Sequence, residues 1–209
     1  TTWTRGLSWV MSGYAEQLEF LDTVADTELA PLGGRDQVRS MMLAAATASC
    51  DFYIEHTPTD GVPYWDTGAP GLAAMGDYLD RPAEPHNGHE PVDSSAAAIA
   101  AQGLLRLGRY LSAAGDPAGD RYTRAGLTVL QTLLGDRYLS IDPSHEGILL
   151  HGVYHRPNGW DQTHDNRGVP SDESVMWGDY HLMEVALYAQ RLADNSPYLT
   201  FYGPTDASA

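Results

Sequence analysis

Asp93-Ser94-Ser95-Ala96-Ala97-Ala98-Ile99 sets a side-chain acceptor directly before an alanine-rich apolar run, the pattern of a capped helix N-terminus. The helix it predicts buries Ile99, Leu104 and Leu105 and ends near Ala114-Gly115. Around it, apolar positions recur at helical spacing in four more segments, and no segment sustains strict alternation. An all-α chain is therefore expected. Upstream, a helix runs from about Leu7 to Leu21 with Trp9, Val10, Gly13, Tyr14 and Leu18 on one side, until Ala30-Pro31-Leu32-Gly33-Gly34 breaks the pattern. Another takes Asp36 to about His56, where Val38, Met41, Met42, Ala45, Ser49 and Phe52 form one face, and Pro58 stops it. Downstream, Asp116-Pro117-Ala118 leads into a helix from about Arg121 to Leu134. A last helix is expected from Glu173 to about Ala193, capped by Ser171 or Asp172, with an end segment after Pro197.

Two stretches, about 57–92 and 139–171, carry no such period. The first is rich in Gly, Pro, Tyr and Asp, and loops of this length are functional surfaces or linkers. Aromatics in Gly61-Val62-Pro63-Tyr64-Trp65-Asp66 favour the functional surface. The second has room for a short hairpin. Helices joined by alternating short and long loops predict a single α/α-toroid domain over residues 1–209, its long loops crowding one rim.

Composition narrows the chemistry. The 209 residues include 28 acidic and 12 basic side chains, a net charge of −16. All 12 basic residues are arginine, so lysine Schiff bases and a G-x-x-x-x-G-K-[ST] phosphate loop are excluded. The charge repels nucleic acid and anionic membranes, and no run reaches the roughly 18–20 apolar residues of a membrane span. A soluble, cytoplasmic protein is expected. Cys50 is alone in an apolar helical stretch without a basic neighbour, and reads as a buried thiol. Tyr and Trp together number 17 against three Phe, a skew towards aromatics with polar tips. Thr1 is not a start methionine, and a fragment is the expectation.

Five motifs occur in order: Trp3-Thr4-Arg5-Gly6-Leu7-Ser8-Trp9, Gly61-Val62-Pro63-Tyr64-Trp65-Asp66, Asp93-Ser94-Ser95-Ala96-Ala97-Ala98-Ile99-Ala100, His151-Gly152-Val153-Tyr154, and Asp172-Glu173-Ser174-Val175-Met176-Trp177-Gly178-Asp179-Tyr180. The succession resembles the unsaturated glucuronyl hydrolases, glycoside hydrolase family 88, from the first residues almost to the last. The resemblance implies an (α/α)6 barrel, of which this chain corresponds to the C-terminal half. It implies a substrate oligosaccharide with a 4,5-unsaturated uronic acid at its non-reducing end. The implied reaction hydrates the vinyl ether: a carboxylic acid protonates C4, water adds at C5, and the hemiketal opens to release the next sugar. The catalytic aspartate is expected upstream of Thr1, so no catalytic residue is assigned within the chain, and the N-terminal half or a partner chain would complete the barrel. An unsaturated rhamnogalacturonyl hydrolase and a non-catalytic carbohydrate-binding or assembly fragment are the alternatives.

The substrate-binding candidates are Arg5, Trp9, Tyr154, Ser174 and Trp177. The family arginine matching Arg5 lines the pocket, and a guanidinium holds hydroxyls or a carboxylate in a fixed fork; a helix-bridging arginine is the rival reading. Trp9 lies four residues on, on the same helix face, and can instead be core. Tyr154 offers a hydroxyl beside Gly152. Ser174 and Trp177, three residues apart, are read as sharing a helix face at the pocket border. His145, His151, His155, His86 and His89 form no metal motif and read as ordinary hydrogen-bonded side chains; no metal and no cofactor is expected. Asp172 and Glu173 read as a helix cap and first-turn acid, and Asp179 and Glu184 as partners of arginines.

Overall fold

The computed structural model describes residues 1–200 and Tyr202. Six α-helices carry the architecture: α1 (Thr4–Leu21), the single-turn α2 (Asp26–Leu29), α3 (Arg35–Glu55), α4 (Ser94–Ala113), α5 (Gly119–Leu133) and α6 (Met176–Ala193). Among the described residues, β structure is confined to three isolated antiparallel bridges. The short hairpin is one of them: Leu139 pairs with Leu149, through Ser140 N–H to Ile148 O and Leu150 N–H to Tyr138 O, both 2.8 Å.

Helix α4 is the axis of the molecule. Every residue from Ser94 to Gly108 is buried, because α1, α5 and α6 pack around it. Small residues permit the close approach. A methyl on Gly103 would lie 2.7 Å from the backbone nitrogen of Ser12, so α1 crosses α4 backbone to backbone there. On another side, Gly119 and Gly126 of α5 lie against Gly108 and Leu105 of α4, so α5 returns antiparallel. Helix α3 packs outside α1. The N-termini of α1, α4 and α6 meet: Arg5 reaches Ser95, and Trp177 reaches the same serine. Three inner helices therefore run in one direction with outer helices returning between them, which is part of an α/α toroid. Along α6, Met176, Tyr180, Met183 and Leu187 form an exposed apolar row at helical spacing, a face with no described helix against it.

The first long loop is tied down. Tyr64, Val62 and Glu90 are buried, Thr4 donates to Tyr64 O (2.8 Å), and Trp65 Nε1–H donates to Glu90 (2.8 Å). These bonds lock Gly61-Val62-Pro63-Tyr64-Trp65-Asp66 onto the start of α1. No helix is long and apolar enough to cross a membrane among the described residues.

Two helix starts differ by three residues from the sequence reading. Helix α1 starts at Thr4, three residues early, because Thr4 N–H is taken by Trp65 O at 3.0 Å, anchoring the first turn from outside. Helix α6 starts at Met176, not Glu173, and Asp172 is not its cap. Asp172 sits at φ +67°, and its carboxylate goes to His86 and Ser171 instead. Ser174 therefore lies outside the helix, and does not share a helical face with Trp177.

Candidate functional site

Where the three inner N-termini meet, Asp93 is completely buried and accepts four hydrogen bonds at one oxygen: from Ser95 N–H (3.1 Å), Ser95 Oγ–H (2.5 Å), Ala96 N–H (3.3 Å) and Val153 N–H (3.4 Å). The first and third cap α4, as its sequence requires. Its other oxygen faces Arg5 Nη1 at 3.2 Å. Burial pushes the Asp93 carboxyl above its ordinary range, while Arg5, Ser95 and the backbone donors pull it down.

Arg5 is buried too. Its guanidinium donates to Asp93, to Ser95 Oγ (3.4 Å), and to the carbonyls of Val153 and Tyr154, the last at 3.0 Å. Trp177 lies over it at 4.8 Å and Trp3 at 5.1 Å, so both ring contacts are cation–π. One cation thus fastens α1 to the cap of α4, to residues 153–154 and to an indole of α6. Trp177 in turn donates Nε1–H to Ser95 Oγ (3.1 Å) and stacks on Tyr154, centroids 5.5 Å apart at 27°.

The structure brings Arg5, Tyr154 and Trp177 together. Trp9 stands apart, edge-on to His181 at 4.9 Å, in a chain of contacts running through Gln102 to Glu184. Ser174 donates to Leu149 O at 2.7 Å, bracing the segment after the hairpin. Asp179 accepts the N–H groups of Ile148 (3.0 Å) and Leu149 (2.8 Å) rather than pairing with an arginine. Glu184 takes hydrogen bonds from Gln102 and Tyr180. Sequence reasoning reached Asp93 as a cap, with a catalytic role only should the chain alone prove active, and gave no role to Ser95 or Trp160; the Arg5–Asp93 pair spans 88 residues and has no local signal.

Behind Tyr154, His151 is buried at φ +66°, with Nε2–H donating to Arg137 O (2.9 Å) and Nδ1 accepting from Asp172 N–H (3.0 Å). Burial is the main cause that pushes its pKa down to about 4, so the ring is neutral in this tautomer. His86, His151 and Asp172 offer three donor atoms within 4.8 Å of one another, a spacing that can surround a metal ion. The hydrogen bonds argue against that use: both nitrogens of His151 already serve backbone groups, and His86 pairs with Asp172 at 2.8 Å. A separate cavity of about 500 Å³ opens at the opposite ends of α4 and α6, lined by Arg106, Arg109, Tyr188 and Tyr198 among others. Its Arg106 is held by Glu19 and Tyr198, and it lies away from the converging N-termini.

Parallel inner helices whose N-termini converge on a tryptophan-flanked arginine, beside exposed aromatics, define the protein as part of an α/α toroid. Comparison with known proteins gives that class its relatives. No family model matches the chain. It is 30% identical to the unsaturated glucuronyl hydrolase of Bacillus sp. strain GL1 over 91% of its own length and 40% of that protein's. It is 27% identical to the unsaturated glucuronyl hydrolase of Formosa agariphila, and 29% identical to the unsaturated chondroitin disaccharide hydrolase of Streptococcus pyogenes serotype M1. The crystal structure of the Bacillus enzyme superposes with a TM-score of 0.61, again over 91% of this chain and 40% of that one. The chain resembles the unsaturated glucuronyl hydrolases in sequence and in its α/α fold, and spans about 40% of the length of the relatives it matches.

Proposed function

We propose that this chain is the C-terminal part of a glycoside hydrolase that removes a 4,5-unsaturated uronic acid from the non-reducing end of oligosaccharides made by polysaccharide lyases. The observation that carries the reading is the 30% identity over 91% of the chain to an unsaturated glucuronyl hydrolase, and the cluster of Arg5, Tyr154 and Trp177 agrees with it. In this reading the half-exposed ring of Tyr154 takes the apolar side of a pyranose, and Trp177, stacked on it and held over Arg5, backs that ring. Arg5 fixes those rings from behind: its donors point into the chain, so its first role is positioning. Trp9 and Ser174 are held outside this ring cluster, by His181 and by Leu149 O respectively. No metal-dependent step enters this mechanism.

The acid that protonates C4 belongs, in this proposal, to the portion of the toroid not contained in the 209 residues, which also covers the apolar row of α6. Asp93 is a poor candidate for it. The carboxylate is fully buried and saturated by four donors and Arg5, leaving nothing to offer a substrate. The test is loss of the ultraviolet absorbance of an unsaturated uronyl disaccharide, measured with the complete toroid and with the 209-residue chain alone. Turnover by the complete toroid only is expected. Robust turnover by the short chain would move the acid into these residues. Absence of turnover by a well-folded complete toroid, with retained sugar binding, would favour the carbohydrate-binding reading.

A further inference from the structure

One aromatic side chain near the site is unused by the reading above. Trp160 is 59% exposed, yet it is held in place. Its indole lies 6.0 Å from the ring of Tyr154 and 4.9 Å from that of His155. The segment under it is braced. Arg156–Asn158 form a 3-10 turn closed by Gly159 at φ +62°, a conformation that glycine adopts without strain. Asp161 accepts the backbone N–H groups of both Tyr154 (2.5 Å) and His155 (3.1 Å), tying the far side of the turn to its start. Arg156 reaches across to Gly168 O. An exposed tryptophan would ordinarily be left on a loose loop or folded down; here the backbone fixes it upright beside Tyr154.

Trp177, Tyr154 and Trp160 consequently form a row of three rings, beginning at the Arg5 guanidinium and ending in solvent. The carboxylate of the next residue, Asp161, is taken up by backbone N–H groups, so the row ends on an aromatic ring rather than on that anion. The geometry points to Trp160 as a platform for the apolar face of a further pyranose, one beyond the sugar seated at Tyr154. The ligand class is an oligosaccharide longer than a disaccharide. This inference rests on the proposed site and adds chain-length preference to it.

The experiment compares an unsaturated tetrasaccharide with the corresponding disaccharide, in the complete protein and in Trp160→Ala and Trp160→Phe. Trp160→Ala should lower kcat/KM for the tetrasaccharide about fivefold or more and leave the disaccharide within about twofold. Trp160→Phe should recover most of the loss. Equal losses on both substrates, or no loss on the tetrasaccharide, overturns the inference. Tryptophan fluorescence titration with the same two sugars supplies a readout independent of turnover. If the parent protein hydrolyses neither sugar, the functional reading fails; the platform still stands if the parent binds the tetrasaccharide more tightly and Trp160→Ala abolishes the difference, and falls if it does not.

Discussion

Replacing Asp93 by alanine perturbs the group on which three inner helices converge. The substitution removes a fully buried carboxylate that caps α4 and faces Arg5 at 3.2 Å. Two costs arise together. Losing the cap alone costs about 1 kcal/mol. Stranding a buried partner charge costs roughly 3–5 kcal/mol, here at the lower end, since Arg5 keeps two carbonyls and two indoles. Both costs flow from one carboxylate, so they are not summed; about 3–5 kcal/mol in total is expected. At roughly 2–4 °C per kcal/mol for a domain of this size, Tm should fall by on the order of 10 °C.

Asp93→Asn separates the two costs. Asparagine keeps an oxygen for the backbone N–H groups of Ser95 and Ala96 but carries no charge for Arg5, so a loss of about 2 kcal/mol is expected. Urea unfolding of the complete protein, followed by circular dichroism with m held common, measures all three chains. The order expected is parent, asparagine, alanine. A loss below about 1 kcal/mol for alanine would refute the claim that this carboxylate holds the convergence together.

The neutral His151 predicts acid sensitivity. Its pKa of about 4 in the fold lies below the ordinary 6.5, so its contribution is complete above pH 6.5 and is lost as pH falls towards 4. About 2 kcal/mol should disappear between pH 7 and pH 5, and His151→Asn, which tolerates the left-handed backbone, should flatten that slope; an unchanged slope counts against the assignment. Gly103→Ala drives a methyl to 2.7 Å from Ser12 N, and roughly 1–3 kcal/mol of overpacking is expected in a thermal melt, where no change in Tm would show that α1 can slide. Tyr154→Phe keeps the ring against Trp177 and should retain most of kcat/KM, whereas Tyr154→Ala should lose about tenfold at similar Tm; the opposite order would assign the work to the hydroxyl. Activity should survive chelator, and its loss would revive the group of His86, His151 and Asp172 as a metal site.

Helix α4 was legible because its determinants are local: an acceptor at Asp93, small residues after it, and Gly115 beyond its end. The α/α class followed from periodicity, and the relatives agree. The start of α6 was misread for a physical reason. Asp172 has the chemistry of a cap, but His86 from the other long loop competes for its carboxylate, and a positive φ turns the chain away. Nothing local records that competition. Trp9 has the spacing to join Arg5 on one face of α1, yet spacing on one helix does not say which neighbour that face meets, and His181 of α6 takes the ring.

The same distinction bears on Arg5. The family resemblance implies a ligand contact for this arginine, with a helix-bridging role as the rival reading. In the structure its acceptors are a buried aspartate, a serine and two backbone carbonyls, so a substrate would have to displace an existing bond to reach it. The carbonyl it holds at 3.0 Å belongs to Tyr154, the residue whose N–H is held by Asp161 and whose ring lies against Trp177. Both backbone polar groups of Tyr154 are therefore pinned, by side chains 149 residues away in one direction and 7 in the other. A side chain needing defined orientation on an irregular loop requires such fixing, because a loop alone would spend its rotamer and backbone freedom on every binding event. In the proposed function the arginine acts on a sugar through the tyrosine it immobilises, so its substitution should raise KM for every chain length, whereas loss of Trp160 should be felt only by the longer ones.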